Sequence, residues 1–358
     1  EIYLYDDNKI NLKNKKLIKK FKNFKDIKKK KFDHIIISPG IDVTKCKLSN
    51  YLKKNIKKIN TDIDIFYSIY RNKNISITGT NGKSTTAKMI YNVLKDQNFD
   101  VRLVGNIGYP ILSEKNIKKK TIFIIEASSY QLEYSKIFRS KYAAILNLSP
   151  DHIERHKTLK KYIKAKFKLL KNQSREHYAF VNKNDLLIRK ELSSNKFNCK
   201  VIKVDYSINK KFEKKIDNQY FLNETNKENL SFVLSISKKL KLNKNSIIKT
   251  IQNFKGLNYR QQIILKKKKL TIINDSKSTS FSSSIGLLKI NSNILWLLGG
   301  IHKKGDRFNL SKKYCSNIRA FIYGKNKKFF NKKLAGKIDY QNFNNLRDAL
   351  KKVFTIIR

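Results

Sequence analysis

The sequence predicts an α/β protein of two or three domains with a parallel sheet at its centre. Its 358 residues exceed the length of one ordinary domain. Between residues 71 and 256, short β-branched runs alternate with segments of helical periodicity, which is the pattern of parallel strands joined by helices. One such strand is followed by the Gly-rich turn Gly79-Thr-Asn-Gly-Lys-Ser84 and then by a helix. This unit indicates a phosphate-binding loop.

The chain is organised around this phosphate loop. Its glycines let backbone N–H groups and the start of a helix point at one anion. Lys83 supplies a positive charge for the β- and γ-phosphates of a nucleotide, and the Ser84 hydroxyl can ligate the accompanying Mg²⁺. The match is to Gly-x-x-Gly-Lys-Ser, because Ile77 stands where the longer motif has its first Gly. We expect a nucleotide site here rather than an ordinary strand–turn–helix unit.

Three segments follow from the order of the predicted elements. Residues 1–70 read as a partial Rossmann-like domain, residues 71–256 as the central ATP-binding domain, and residues 257–358 as an incomplete C-terminal Rossmann-like unit. Alternating and apolar runs predict strands at 2–5, 34–37, 75–78, 101–104, 121–125, 142–146, 261–265, 270–274, 294–298 and 318–323. Helical periodicity predicts helices over 87–94, 159–170, from about 226, and within 276–290.

Composition excludes some classes of protein and leaves others open. No apolar run reaches the ~18 residues of a membrane span, and three scattered cysteines (Cys46, Cys199 and Cys315) fit reduced thiols in the cytoplasm. The net charge of +53 comes from lysines spread over every segment. We interpret it as surface enrichment that binds polyanions weakly, without specific nucleic-acid recognition. The chain begins at Glu1 in a strand-like run and ends at Arg358 after a helical pattern, so we expect both ends to be cut.

Polar residues cluster where predicted strands end. Asn106, Glu126 and His152 each follow a different strand of the central domain, so the parallel sheet should bring them to the edge that carries Lys83. A carboxylate, an imidazole and phosphate oxygens make a plausible Mg²⁺ site. Asp275 follows a strand of the last unit and could close over the phosphates from the other side.

These motifs carry a resemblance to the Mur ligases, and within them to the branch that adds D-glutamate. The matching segments are Gly79-Thr-Asn-Gly-Lys-Ser-Thr85, Gly105-Asn-Ile-Gly108, Glu126-Ala-Ser-Ser-Tyr-Gln-Leu132, Asn147-Leu-Ser-Pro-Asp-His152, Gly256-Leu-Asn-Tyr-Arg260 and Asn274-Asp-Ser-Lys-Ser-Thr279. Two positions depart from the family pattern, since Thr225 and Tyr259 stand where the family has His. The resemblance implies a three-domain α/β architecture.

The resemblance also implies a role for each matching residue. The catalytic residues would be Lys83, Glu126, His152 and Lys166. ATP would be held by Gly79, Thr80, Asn81, Gly82, Lys83, Ser84, Thr85, Asn226, Asn229, Arg260 and Asp275. The Mg²⁺ ligands would be Ser84, Glu126, His152 and Lys166, the last as a carbamate. The UDP-linked substrate and D-glutamate would be bound by Asp6, Ser38, Pro39, Gly40, Asn106, Lys277, Thr279 and Lys303.

The implied activity is ATP-dependent amide synthesis between D-glutamate and UDP-N-acetylmuramoyl-L-alanine through an acyl phosphate. The partners would be small-molecule substrates, with no membrane and no specific nucleic acid, and the protein would be a cytoplasmic monomer. Four alternatives stay open. They are a sister Mur ligase that adds another amino acid, a folylpolyglutamate-type ligase, an inactive truncated remnant, and a P-loop ATPase stimulated by nucleic acid.

Overall fold

The computed structural model describes residues 1–7, 18–213, 215–302 and 305–357. Lys303 lies outside these residues, so its predicted contact with D-glutamate stays a prediction from the sequence. The strands are β1 Ile35–Ile36, β2 Ile59–Asn60, β3 Asn74–Thr78, β4 Val101–Gly105, β5 Ile122–Glu126, β6 Tyr142–Ile145, β7 Tyr178–Asn182, β8 Lys200–Val204, β9 Gln262–Lys267, β10 Leu270–Asn274, β11 Ile294–Gly299, β12 Ile318–Tyr323 and β13 Asp339–Phe343.

Helices connect most of these strands. They are α1 Phe24–Lys29, α2 Ser49–Lys54, α3 Asp62–Ile69, α4 Lys83–Lys95, α5 Ser129–Tyr134, α6 Ile153–His156, α7 Leu159–Lys171, α8 Leu186–Ser194, α9 Ser207–Glu213, α10 Glu224–Lys239, α11 Lys244–Gln252, α12 Phe281–Ile290, α13 Lys312–Cys315, α14 Lys327–Leu334 and α15 Leu346–Ile357. Among the residues described, none of the helices is both long and apolar enough to cross a membrane.

A six-stranded parallel sheet forms the centre of the molecule, in the order β4-β5-β3-β6-β7-β8. Strands β3, β5 and β6 are buried along their whole length, because helices cover both faces and both sets of alternating side chains must be apolar. Ile75 and Ile124 pack on one face with α4, α10 and α11. Phe123 and Ile145 pack on the other face with α3, α5 and α7. The prediction of an α/β fold with a central parallel sheet is confirmed.

The order of the strands creates a crevice at the end of β3. From β3 the chain passes to β4 and β5 on one side, and it then crosses to β6, β7 and β8 on the other side. In open parallel sheets, ligands bind outside the carboxyl ends of the strands at such a reversal. The register places Ile77 of β3 beside Glu126 and Thr78 beside Ile145, so the segments that follow these strands start next to the phosphate loop.

The N-terminal segment has a smaller core around a two-stranded parallel pair, β1 and β2. The predicted strand at 34–37 is present as Ile35–Ile36, whereas the predicted strand at 2–5 is reduced to an isolated bridge between Leu4 and Phe21. Helix α3 buries Ile63 and Phe66 in the core of the central sheet. The division of the chain at residues 70 and 256 stays a prediction.

The C-terminal segment contains the predicted hairpin, β9 paired antiparallel with β10. Its strands run on to Lys267, so the turn is shorter than the run of four lysines. A parallel sheet of β11, β12 and β13 follows. Helices α12 and α14 cover one face through Phe281 and Phe330, and α15 covers the other through Val353.

Candidate active site

The phosphate loop joins β3 to the start of α4 in a conformation that requires glycine. Gly82 has φ +80°, and a Cβ there would lie 2.0 Å from Asn229 Oδ1. Lys83 is the first residue of α4, and its Nζ donates hydrogen bonds to the carbonyl oxygens of Gly79 (3.0 Å) and Thr80 (2.8 Å). The first N–H groups of a helix have no partner within the helix. The loop therefore combines helical N–H groups and an ammonium, which are the two groups that hold phosphates.

The end of β6 holds this loop in place. Asn147 accepts twice, with its carbonyl oxygen from the Thr80 N–H (2.9 Å) and with Oδ1 from the Asn81 N–H (2.8 Å). The Thr80 hydroxyl accepts from the Ser149 N–H at 3.0 Å and lies 3.0 Å from the Tyr162 hydroxyl. These contacts connect β3, β6 and α7, so the loop is preorganised before any ligand binds.

Lys166 lies beneath the loop and is only 2% exposed. Its Nζ donates to the Gly79 carbonyl at 2.7 Å and lies 3.4 Å from Thr78 Oγ1. Burial lowers the pKa of Lys166 well below its usual value, and the Lys83 ammonium adds to this effect. Asp151 and Glu126 oppose the shift. The lowered pKa favours a neutral amine, which is the form that reacts with CO₂ to give a carbamate.

Glu126 ends β5 with its carboxylate buried, at 1% exposure. Oε1 accepts a hydrogen bond from Asn106 Nδ2 at 3.0 Å, whereas Oε2 is buried without a hydrogen-bond partner among the described residues. A buried carboxylate oxygen without a partner is costly, and a divalent cation would satisfy it. The ends of β4 and β5 lie close together because residue 105 is glycine, since a Cβ there would lie 2.5 Å from the Glu126 carbonyl oxygen.

His152 begins the turn that leads into α6, with φ +53°. Its Nδ1 lies 2.9 Å from the Tyr130 hydroxyl, and its Nε2 lies 3.4 Å from Asp151 Oδ2. Four residues later, His156 is buried with Nε2 3.0 Å from Ser129 Oγ. Burial lowers the pKa of His156 to about 4. The two imidazoles therefore differ in their access to a ligand, since His152 is partly exposed and His156 is buried.

The predicted metal ligands fit Mg²⁺ only if waters and substrate phosphates complete its coordination shell. In the part of the chain that the structure describes, no group of three or more His, Cys, Asp and Glu side chains is arranged to hold a metal by itself. Mg²⁺ usually keeps waters and takes one or two carboxylates together with substrate phosphates. The unpartnered Glu126 Oε2, the buried Ser84 at the start of α4 and the nearby His152 fit that pattern. Lys166 bonds to the Gly79 carbonyl of the phosphate loop.

The predicted pair on α10 lies against the other side of the loop. Asn229 is 1% exposed, and its Oδ1, which faces Gly82, has no hydrogen-bond partner among the residues described. Asn226 Nδ2 donates to the Tyr220 carbonyl (2.8 Å) and to Gln261 Oε1 (3.0 Å). Asn226 therefore connects α10 to the C-terminal segment, and Asn229 contacts the phosphate loop itself.

Gln261 connects Asn226 of α10 to Asp275 of the C-terminal segment. The Gln261 N–H donates to Asp275 Oδ1 at 3.0 Å, and Ser278 Oγ donates to Oδ2 at 2.6 Å. Burial raises the pKa of Asp275. Arg260 precedes Gln261 in the chain, while Lys277 and Thr279 are exposed on the loop after β10. The structure thus places Arg260 and Asp275 near Asn226, and it leaves Lys277 and Thr279 open to solvent.

Asp6 and the Ser38-Pro39-Gly40 turn lie in the N-terminal segment. Asp6 and Ser38 are exposed, and the Ser38 carbonyl closes the turn by accepting from the Ile41 N–H at 3.0 Å. Two residues beyond the turn, Asp42 lies 4.0 Å from Lys157, which directly follows α6. The turn therefore lies on the side of the crevice that carries His152. The roles assigned to these residues stay predictions.

Sequence reasoning missed several residues that shape the site. Asn147 stood in a recognised motif, but its contact with two loop residues depends on strand order. Tyr130, which contacts His152, Tyr162, which contacts Thr80, and Glu228, which contacts Asn147, were not predicted. No local spacing marks such partners, because they come from elements that are distant in the chain.

The fold and the site define a nucleotide-binding α/β protein with a phosphate loop, a buried acidic residue and a buried lysine at one crevice. Comparison with known proteins agrees, because residues 77–254 match the model of the Mur ligase middle domain. The UDP-N-acetylmuramoylalanine–D-glutamate ligase of Rickettsia bellii is 31% identical over 97% of this chain and 82% of its own length. The ligase of the same name from Francisella tularensis is 34% identical over 89% of this chain and 76% of its own length. The chain belongs to the Mur ligase family.

Solved structures show the same fold at lower identity. MurF from Acinetobacter baumannii has a TM-score of 0.60 at 15% identity, covering 83% of this chain and 72% of its own. The UDP-N-acetylmuramate–alanine ligase MurC from Thermotoga maritima has a TM-score of 0.57 at 15% identity, covering 90% of this chain and 78% of its own. The predicted three-domain Mur ligase architecture is thereby supported at the level of the fold.

Proposed function

We propose that this chain is an ATP-dependent amide ligase that adds D-glutamate to UDP-N-acetylmuramoyl-L-alanine, a step of peptidoglycan precursor synthesis. The observation that carries the proposal is the phosphate loop with two buried ionisable side chains at its edge, Lys166, which bonds to the loop, and Glu126, whose Oε2 has no partner among the described residues. An edge of this kind suits phosphoryl transfer, in which positioning and electrostatic stabilisation dominate. The names of the relatives at 31–34% identity support D-glutamate as the acceptor.

The proposed reaction has two chemical steps. The γ-phosphoryl group of ATP passes to the terminal carboxylate of the UDP-linked substrate and gives an acyl phosphate and ADP. The amine of D-glutamate then attacks the acyl carbon, loses a proton and displaces phosphate, so that an amide bond forms. Lys83 and the helical N–H groups of α4 stabilise the charge on the transferring group.

Mg²⁺ would neutralise the phosphate charge when bound. Glu126 and Ser84 would hold it, with His152 at the same edge. Lys166 as a carbamate would add a negative ligand, whereas its ammonium form would repel the metal. Asn226, Asn229, Arg260 and Asp275 would enclose the adenine side of ATP. Asp6, the Ser38-Pro39-Gly40 turn and Asn106 would bind the UDP-linked substrate, and Lys277, Thr279 and Lys303 the acceptor.

The cellular setting belongs to the same proposal. We place the protein in the cytoplasm as a monomer that acts on these small-molecule substrates. The charge of +53 is spread over the surface, and it acts as a general attraction for anionic substrates. A sister Mur ligase or a folylpolyglutamate-type ligase would share the phosphate loop but take a different acceptor.

The test is product formation by the purified protein with ATP, Mg²⁺, UDP-N-acetylmuramoyl-L-alanine and D-glutamate. We expect one phosphate released per amide formed, with no release when either substrate is omitted. Parallel reactions replace D-glutamate by L-glutamate, L-alanine or diaminopimelate. Preference for another acceptor would indicate a sister ligase, and turnover stimulated only by RNA or DNA would indicate the nucleic-acid alternative. Absence of any ATP turnover would favour an inactive remnant.

A further inference from the structure

Glu228 is an acidic residue of α10 that no motif of the site includes. It lies between Asn226 and Asn229, and its Oε1 accepts a hydrogen bond from Asn147 Nδ2 at 2.8 Å. Its Oε2 lies 3.4 Å from the Tyr206 hydroxyl. Glu228 is half-buried, and burial raises its pKa. A carboxyl group in such a position is costly unless its hydrogen bonds repay the lost hydration.

The contact between Glu228 and Asn147 fixes the orientation of the Asn147 side-chain amide. A carboxylate only accepts hydrogen bonds, so the Asn147 amide must present Nδ2 to Glu228. Oδ1 then faces the opposite side, where it accepts from the Asn81 N–H at 2.8 Å, and Nδ2 also lies 3.3 Å from the Asn81 carbonyl oxygen. With the amide turned over, Oδ1 would meet the carboxylate and Nδ2 would meet the Asn81 N–H. Both contacts would then be repulsive.

We infer that Glu228 is a positioning residue for the phosphate loop, acting through Asn147 on the conformation of Asn81. The inference rests on the proposed function, since it concerns how the loop binds ATP. Glu228 sets the loop before the nucleotide arrives, so its loss weakens ATP binding and leaves the UDP-linked substrate's affinity unchanged. This split distinguishes positioning of the loop from general support of the fold, which would affect both ligands.

The decisive variant is Glu228→Met, which fills a similar volume but accepts no hydrogen bond. We expect its Kd for Mg²⁺-ATP to rise about tenfold or more, because a hydrogen bond to a charged group is lost. Glu228→Gln should recover most of the affinity, since its amide oxygen can still accept from Asn147. The matched control is Glu224→Gln on the same helix, one turn earlier. Its carboxylate is exposed and pairs with Lys289 at 3.2 Å.

Coupling is measured with the double variant of Asn147→Ala and Glu228→Met. If Glu228 acts through Asn147, the double variant should bind ATP no more weakly than Asn147→Ala alone. Calorimetric titration gives both affinities, and the unfolding temperature of each variant confirms that it is folded. If Glu228→Met folds poorly, Glu228→Ala is measured in its place.

The outcomes separate this inference from the proposed function. Wild-type protein that binds no ATP would overturn the proposed function and this inference with it. ATP binding by wild type that is unchanged in Glu228→Met would overturn the inference alone. Equal loss of affinity for ATP and for the UDP-linked substrate would also overturn it, because it would show a structural role.

Discussion

The buried carboxylate of Glu126 gives the sharpest test of the metal site. The change Glu126→Gln keeps the shape of the side chain and an oxygen that can accept from Asn106, but it removes the charge. Two effects on the free energy of unfolding then oppose each other without ligand. The substitution removes the desolvation cost of a buried carboxylate, and it also removes the carboxylate's stabilisation of the protonated form of Lys166. We therefore expect little change in the unliganded protein and a large change in the response to metal.

The size of that response follows from mass action. A ligand at about 100 times its Kd adds about 2.7 kcal/mol to the free energy of unfolding. For a folding unit of about 150–250 residues, 1 kcal/mol shifts Tm by roughly 2–4 °C, so Mg²⁺ with ADP should raise the wild-type Tm by roughly 5–10 °C. If the variant binds the metal about tenfold more weakly, about 1.4 kcal/mol is lost. Roughly half of the increase should then disappear.

The assay is a thermal melt with ADP held constant and Mg²⁺ varied. Glu133→Gln is the matched control, because its carboxylate lies on the adjacent α5 and pairs with the buried Arg155 at 3.3 Å. We expect this control to lower the Tm without ligand, since it leaves Arg155 unpaired, and to keep the full Mg²⁺-dependent increase. A full Mg²⁺-dependent increase in Glu126→Gln would refute the assignment of Glu126 to the metal.

Four further outcomes are expected. Lys83→Ala should lower ATP turnover at least about a hundredfold, about 3 kcal/mol in the transition state, while its melting curve stays near that of Lys88→Ala, a lysine on the same helix. Lys166→Ala should abolish ligation but keep ATP binding, and removal of CO₂ should slow the wild-type enzyme; an active alanine variant would exclude the carbamate. Binding of RNA or DNA should be weak, independent of sequence and lost between low and physiological salt, so tight binding at high salt would contradict surface enrichment. Acidification should destabilise the fold as pH falls from 6.5 towards 4, because the folded-state pKa of His156 is lowered to about 4. The resulting loss of about 3 kcal/mol in the free energy of unfolding should be absent when His156→Phe is melted at acid pH.

Much of the fold could be predicted because the strands of a buried parallel sheet have a simple sequence pattern. Strands buried on both faces are apolar throughout, as in β5, and the residue that ends such a strand stands out when it is polar. This is why Glu126 could be assigned to the crevice from its position alone. The segment at 2–5 shows the converse. Its run of apolar residues resembles a strand, but pairing needs a partner, and only Leu4 forms a bridge.

The partners within the site could not be predicted, because hydrogen bonding depends on the rotation of helices and the order of strands. Asn147 reaches Asn81 only because β6 lies directly beside β3. Glu228 reaches Asn147 only because α10 packs against the same crevice. A sequence pattern identifies which face of a helix is apolar, but it does not fix which polar residue at the edge of that face meets a distant loop.

Lys166 illustrates both what the pattern contains and where it ends. Lysines at 160, 161, 164 and 171 share its helix and are exposed, whereas the apolar face of α7 carries Lys166 into the core beside Tyr162. Helical spacing therefore separates Lys166 from these four lysines, whereas Lys168 on the same helix is half-buried. The spacing does not reveal that Nζ bonds to the Gly79 carbonyl. A carbamate keeps one N–H on Nζ that can still donate to that carbonyl, but it adds a negative carboxylate that must fit beside the loop. Metal binding and loop conformation would be coupled through this one side chain, because burial lowers its pKa and favours the neutral amine that reacts with CO₂.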